Sequence, residues 1–302
     1  MDHRFRGLGV ALVTPFRPAA HGGVAPIDYA GLQQVIEHQI NGGIDYLVVM
    51  GTTGESVTVS AEEKKQLLAY VIEVVKNRVP IVLGVGGNNT AEVVHQLETY
   101  DLSGVDGILS VSPYYNKPTQ EGIYRHYRAI AQASLLPIIL YNVPGRTMSN
   151  MTAETTLRLA RDFENIVGIK EASGNLDQIA MILKHRPKDF MVISGDDALT
   201  LPILALGGDG VISVVGNALP AEFARLVEAG LSGDMVTARR EHLKLIEFMT
   251  HLFVEGNPAG IKEALKTLGL CGNQLRLPLV PVSEATASKI YHAMADAEVV
   301  KL

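Results

Sequence analysis

Cysteine is almost missing from this chain: Cys271 is the only one in 302 residues. An internal disulfide is therefore excluded, and a reducing compartment is expected. No stretch approaches the roughly 20 apolar residues needed to span a bilayer. The opening residues, MDHRFRGLG, lack the apolar core of a signal peptide, so a cytoplasmic protein is expected. Neither sign of charge dominates. With 26 basic and 32 acidic residues the net charge is −6, spread without blocks, which favours neither nucleic acid nor an anionic membrane as partner. There is no HExxH, no cysteine pair, no GxSxG elbow and no Walker loop. The nine histidines are scattered, and His38, His95, His126, His185 and His242 fall inside helical patterns, so no metal site is expected. Linkers rich in Pro, Gly or Ser and low-complexity tracts are also lacking.

What is present is a packed globular pattern, 47% hydrophobic and 19% charged. Short β-branched runs alternate with longer helical ones. The strand candidates are GVALVT (9–14), DYLVVM (45–50), PIVLGV (80–85), DGILSV (106–111), PIILYN (137–142), NIVGIK (165–170), FMVISG (190–195) and DGVISV (209–214). Helices are expected over 28–41, 61–77, 90–103, 120–133, 152–161, 175–184 and 197–206. Asp28, Ser60 with Glu63, and Thr119 stand where helix caps belong, and Ser60-Ala-Glu-Glu63 matches a capping box. Eight strands, each followed by a helix, predict an α/β protein with a (β/α)8 TIM barrel. The open doubly wound alternative would carry a GxGxxG turn after the first strand, and VTPFRPAAHGG is not one. Beyond strand eight the pattern is helical only (220–230, 234–254, 258–269, 283–297). The expected organisation is a barrel over 1–230 followed by a C-terminal helical region over 231–302.

Chemistry in such barrels sits where strands run into the loops that follow them. Those positions read Thr14-Pro15, Gly51-Thr52-Thr53-Gly54-Glu55, Gly86-Gly87-Asn88, Ser112-Pro113-Tyr114-Tyr115-Asn116, Tyr141-Asn142, Lys170-Glu171, Gly195-Asp196-Asp197 and Ser213. Lys170 closes the apolar run Ile166-Val167-Gly168-Ile169. The plain reading is a solvated lysine just past a strand; the other is an amine held in a dry pocket. Its company of hydroxyls and two tyrosine sites favours the second. A solvated lysine titrates near about 10.4, and burial can lower that by roughly 3, or about 4 kcal/mol. A free amine adds to a ketone, and the resulting iminium acidifies the adjacent carbon. Tyr141, one strand earlier, can shuttle the protons, with Thr52 or Thr53 as relay. Arg146 follows the Pro144-Gly145 turn and aims a guanidinium at the rim, its plain alternative being a surface salt bridge.

GTTGES, SPYYNKPTQEG, YNVPGRT, GIKEASGNL and SGDDALTL stand in the order and spacing of the dihydrodipicolinate synthase/N-acetylneuraminate lyase family, and the chain resembles that family nearly end to end, through FVEGNPAGIKEAL and LRLPLVPVS. The resemblance implies a lyase that condenses pyruvate with L-aspartate 4-semialdehyde to 4-hydroxy-tetrahydrodipicolinate, in lysine and diaminopimelate biosynthesis. It implies no cofactor beyond a Schiff base between pyruvate and Lys170. By the same resemblance Tyr141 moves protons and is linked through Thr52 to Tyr115, which reaches into a neighbouring subunit of a homotetramer built as a dimer of dimers. Thr53, Ile212 and Gly195 would bind or flank substrate, and Arg146 the semialdehyde carboxylate. Ser56, Asn88, Glu92 and Tyr114 match an effector site for L-lysine, although Ala61 and Lys64 depart from lysine-sensitive relatives. The GTTGE, PYYN and GRT segments, with the charge of Arg146, favour a small acid over the sugar acids taken by N-acetylneuraminate lyases and keto-deoxy sugar acid aldolases, the alternative activity. FVEGNP departs from the commoner FVEPNP, with an altered loop as the expected result.

Overall fold

The structure, a computed structural model, describes residues 4–20 and 23–301. The first three residues of the MDHRFRGLG segment lie outside the described residues. Eight strands form a closed, all-parallel barrel in chain order: β1 (Gly7–Ala11), β2 (Tyr46–Val49), β3 (Ile81–Gly84), β4 (Gly107–Val111), β5 (Ile138–Asn142), β6 (Ile166–Glu171), β7 (Met191–Ser194) and β8 (Gly210–Ser213). The helices between them are α1 (Tyr29–Asn41), α2 (Ala61–Val75), α3 (Thr90–Thr99), α4 (Gln120–Ala133), the single turn α5 (Pro144–Thr147), α6 (Ala153–Asp162), α7 (Leu176–His185) and α8 (Thr200–Ala205). A 3-10 turn at Val215–Asn217 leads into α9 (Pro220–Ser232), α10 (Met235–Leu252), α11 (Ala259–Thr267) and α12 (Glu284–Asp296).

Local chemistry sets most of these boundaries. The α2 capping box is complete: Glu63 N donates to Ser60 Oγ, and Ser60 N donates to the Glu63 carboxylate. Thr119 caps α4 by accepting from Gly122 N. Asp28 does not cap α1 with its side chain; its carboxylate takes Arg17 Nε instead, because an ionic donor outcompetes an amide. β1 starts two residues earlier than the apolar run implies. Gly7 has a φ of +97° open to glycine, and residues 12–14 leave the ladder as Val13 N turns to Asn217 Oδ1. α8 starts at Thr200, later than expected, since Asp196 Oδ1 accepts from Ala198 N and Leu199 N and holds that stretch in a turn. α3 likewise stops at Thr99.

Strand residues alternate between two cores. The outward set packs under the helices. The inward set, including Phe5, Tyr46, Val48, Val82, Leu109, Ile139, Ile193 and Ile212, fills the barrel. Two aromatic rings plug its amino end, and two glycines make room for them. A Cβ on Gly9 would meet the Tyr46 ring at 2.2 Å, and one on Gly107 the Phe5 ring at 2.7 Å. The carboxyl end carries smaller and polar groups, and there the barrel opens.

Candidate active site

Lys170 and Tyr141 are cross-strand partners in the β5–β6 register, and each is followed by a polar residue, Glu171 and Asn142. Alternation sends the first pair inward and the second outward. Asn142 Nδ2 donates to the Glu171 carboxylate at 3.1 Å, and Ser173 N and Gln178 Nε2 donate to it at 2.8 and 2.9 Å. Burial raises the Glu171 pKa from its ordinary value while these donors oppose the rise. Glu171 is therefore a lock behind the strands, outside the site, and it holds its neighbours facing the barrel axis.

On the inner face the Lys170 Nζ lies 4.2 Å from the centroid of the Tyr141 ring. Lys170 is only 6% exposed, and among the described residues no carboxylate or hydrogen-bond acceptor pairs with it. The other deeply buried lysine, Lys262, behaves differently. It is fully buried and bonded both to the Glu55 carboxylate and to Gln274 O. A structural lysine is paired; Lys170 is left available. Gly195 makes that position possible, since a Cβ there would sit 3.1 Å from both Cγ and Cε of the Lys170 stem. Its contribution is space. Ile212 is buried on β8 in the inner core.

Above this pair a cleft of about 680 Å³ is lined by Thr52, Tyr141 and Arg146 and, continuously with them, by Ser56, Asn88, Glu92, Tyr114 and Lys64. Thr52, Tyr141 and Arg146 thus share one hollow with the expected effector residues, while Lys170 and Thr53 are buried and do not line it. Arg146 sits exposed on α5, whose Pro144 start and left-handed Met148 end make a one-turn post. Its guanidinium has no ion pair or hydrogen bond among the described residues, so the surface salt bridge is not formed. Asn88 Nδ2 donates to Tyr114 O, and Asn116 Nδ2 to Asn88 O, tying the loop after β3 to the loop after β4. Burial lowers the pKa of Lys64. Tyr115 stands apart. It has a φ of +71°, is 87% exposed and does not line the cleft, and no hydrogen bond joins it to Thr52 or Tyr141.

The 51–60 loop has no regular structure, so its shape comes from tertiary bonds. Thr14 Oγ1 donates to Gly54 O at 2.7 Å. Thr53 is buried, and its hydroxyl accepts from Asn257 Nδ2 at 3.0 Å. Asn257 was not apparent as a site residue from sequence; the only signal was a polar residue before the Pro258 that opens an apolar helix. Gly256 beside it, in the FVEGNP segment, has a φ of +90° and open space around it, a conformation that the proline of FVEPNP cannot adopt. Among the described residues no group of three His, Cys, Asp or Glu could hold a metal ion, and no helix is long and apolar enough to cross a membrane.

Fold and rim together define a class: a (β/α)8 barrel with an unpaired, buried lysine against a tyrosine, which is the equipment of imine chemistry on a carbonyl. The chain belongs to the Dihydrodipicolinate synthetase family, whose sequence model matches residues 4–297. It is 54% identical over 289 residues to the 4-hydroxy-tetrahydrodipicolinate synthase of Parabacteroides distasonis, covering 96% of each chain. Among solved structures it is similar to a dihydrodipicolinate synthase from Cyanidioschyzon merolae with lysine bound, at 41% identity and a TM-score of 0.93 over 99% of this chain and 100% of that one. It is also similar to the chloride-inhibited enzyme from Acinetobacter baumannii complexed with pyruvate, at 38% identity and a TM-score of 0.92 over 98% and 99% of the two chains.

Proposed function

We propose that this chain condenses pyruvate with L-aspartate 4-semialdehyde to 4-hydroxy-tetrahydrodipicolinate, a lyase step of lysine and diaminopimelate biosynthesis. The observation that carries the reading is the unpaired Lys170 amine beside Tyr141, under a cleft that also holds a free Arg146. The amine adds to the keto carbon of pyruvate, and loss of water gives the imine. Removal of a methyl proton gives the enamine, whose carbon bonds to the aldehyde carbon of the second substrate as its oxygen takes a proton. Attack of that substrate's own amine on the imine carbon closes the ring and returns Lys170. Tyr141 is the group placed to carry the protons, with Thr52 beside it on the cleft wall. The imine is itself the electron sink, so the chemistry calls for no further cofactor.

Thr53 is assigned to the pyruvate carboxylate, and Arg146 to that of the semialdehyde, a planar fork suited to bidentate contact. Ile212 and Gly195 shape the floor beneath the bound keto acid. Tyr115, exposed on its loop, is assigned to the site of a neighbouring copy in a homotetramer arranged as a dimer of dimers. Ser56, Asn88, Glu92 and Tyr114 form a candidate L-lysine site, where Glu92 favours a cationic effector and Lys64 opposes it. The free Cys271 accords with a cytoplasmic location.

Incubation with pyruvate and borohydride is expected to leave a stable adduct on Lys170, located by peptide mass. An unmodified Lys170 would overturn the mechanism. Turnover of a sialic or keto-deoxy sugar acid, with none of the semialdehyde, would move the chain to the aldolase branch.

A further inference from the structure

Thr53 and Asn257 are 204 residues apart in sequence, yet their side chains are in direct contact and both are nearly buried. A threonine hydroxyl offers one proton and two lone pairs. Asn257 Nδ2 occupies a lone pair of Thr53 Oγ1 at 3.0 Å, and no group among the described residues takes the hydroxyl proton. The proton is therefore left for whatever binds, and the Thr53 hydroxyl presents itself as a donor. A donor selects an acceptor such as a carboxylate. Asn257 also lines the cleft itself.

The same C-terminal segment fixes the other end of this short stretch. One turn into α11, Lys262 is bonded to the buried Glu55 carboxylate, and Arg276 N donates to that carboxylate at 3.1 Å. Glu55 has a left-handed φ of +51°, which places its side chain under the loop. Thr53 is thus held through its own hydroxyl and through the Glu55 side chain two residues on. Neither contact is made within the barrel repeat.

We propose that Asn257 is a positioning residue for the keto-acid carboxylate, acting by orienting the Thr53 hydroxyl as a donor. The inference rests on the assignment of Thr53 to that carboxylate. Asn257→Ala is expected to raise the KM for pyruvate roughly five- to tenfold, the worth of about one hydrogen bond. The pyruvate concentration for half-maximal borohydride trapping on Lys170 rises in parallel, with kcat and the KM for the semialdehyde little changed. Asn257→Asp keeps the packing volume but can only accept at neutral pH, so it captures the Thr53 proton and weakens pyruvate binding further than alanine does. In a Thr53→Val background Asn257→Ala adds nothing, because the hydroxyl through which it acts is gone.

An unchanged pyruvate KM in Asn257→Ala, or effects that simply add to those of Thr53→Val, would overturn the positioning role. If Thr53→Val raises the pyruvate KM and Asn257→Ala does not, the assignment of Thr53 survives and only this inference falls. If Thr53→Val has no effect on pyruvate, both fall.

Discussion

At the scale of the residue, the site is a pair of neighbours in one register. Tyr141 and Lys170 meet because β5 and β6 are hydrogen-bonded in parallel, and both face inward because Asn142 and Glu171 are tied to each other behind them. The Lys170 amine lies 4.2 Å from the centroid of the Tyr141 ring. Tyr141→Phe removes one oxygen and keeps the ring against the lysine. We expect kcat to fall by roughly 10²- to 10⁴-fold, the usual reach of general acid–base catalysis, with the melting temperature nearly unchanged. A variant that retained near-normal kcat would show that Tyr141 carries no proton. Much of this scale was legible in sequence: a lysine closing a β-branched run is conspicuous, and the rule that strand ends carry chemistry named its companions. Asn257 was not legible, because its meaning depends on which hydroxyl it touches.

At the scale of the element, helix α3 lines part of the cleft through Glu92, Val93 and Gln96, and a histidine joins it to α4. His126 on α4 is buried, and its Nδ1 lies 2.9 Å from Thr90 Oγ1 at the start of α3, the helix that carries Glu92. Its Nε2 has no partner among the described residues. Burial pushes its pKa down to about 4. The folded chain then keeps this imidazole neutral over a range in which the unfolded chain, near about 6.5, binds a proton. Stability is full above that unfolded value and is lost as the pH falls toward 4. His126→Gln should flatten the fall of the melting temperature between pH 6.5 and 4 relative to the parent chain. An identical slope would place the titration elsewhere. The elements themselves were mostly predictable, since capping residues and hydrophobic period act within a few residues. The exceptions are β1 and α8, where a distant or competing hydrogen bond decided the boundary, and the single turn α5, set by Pro144 and the left-handed Met148.

At the scale of the molecule, the C-terminal helices are part of the site's support. Lys262 and Arg276 lie against the Phe16 ring and bind Glu55, while Arg276 also reaches Ala25 O, Thr58 O and Glu63. The Arg276 guanidinium pulls the Glu63 pKa down to about 2. Burial pushes the Lys262 ammonium below the ordinary lysine range against the pull of Glu55. Lys262→Met leaves a carboxylate buried without its cation, and we expect it to cost about 3–5 kcal/mol in urea unfolding. Glu55→Gln introduced with it should restore most of that loss, since neither charge then remains. No recovery in the double variant would mean that the lysine acts through packing alone.

The sequence by itself determined the eight-fold alternation, the rim on which chemistry would fall and the residues Lys170, Tyr141, Thr52 and Arg146, because strand and helix periods and turn residues act over short spans. Only the tertiary structure decided that Lys170 stays unpaired while Lys262 does not, that Thr52, Tyr141 and Arg146 share one cleft with Ser56, Asn88, Glu92 and Tyr114, and that Asn257 and Glu55 anchor the loop after β2. Those outcomes depend on which buried polar groups find partners across some 200 residues of chain, and a linear pattern carries no record of that pairing until the barrel closes.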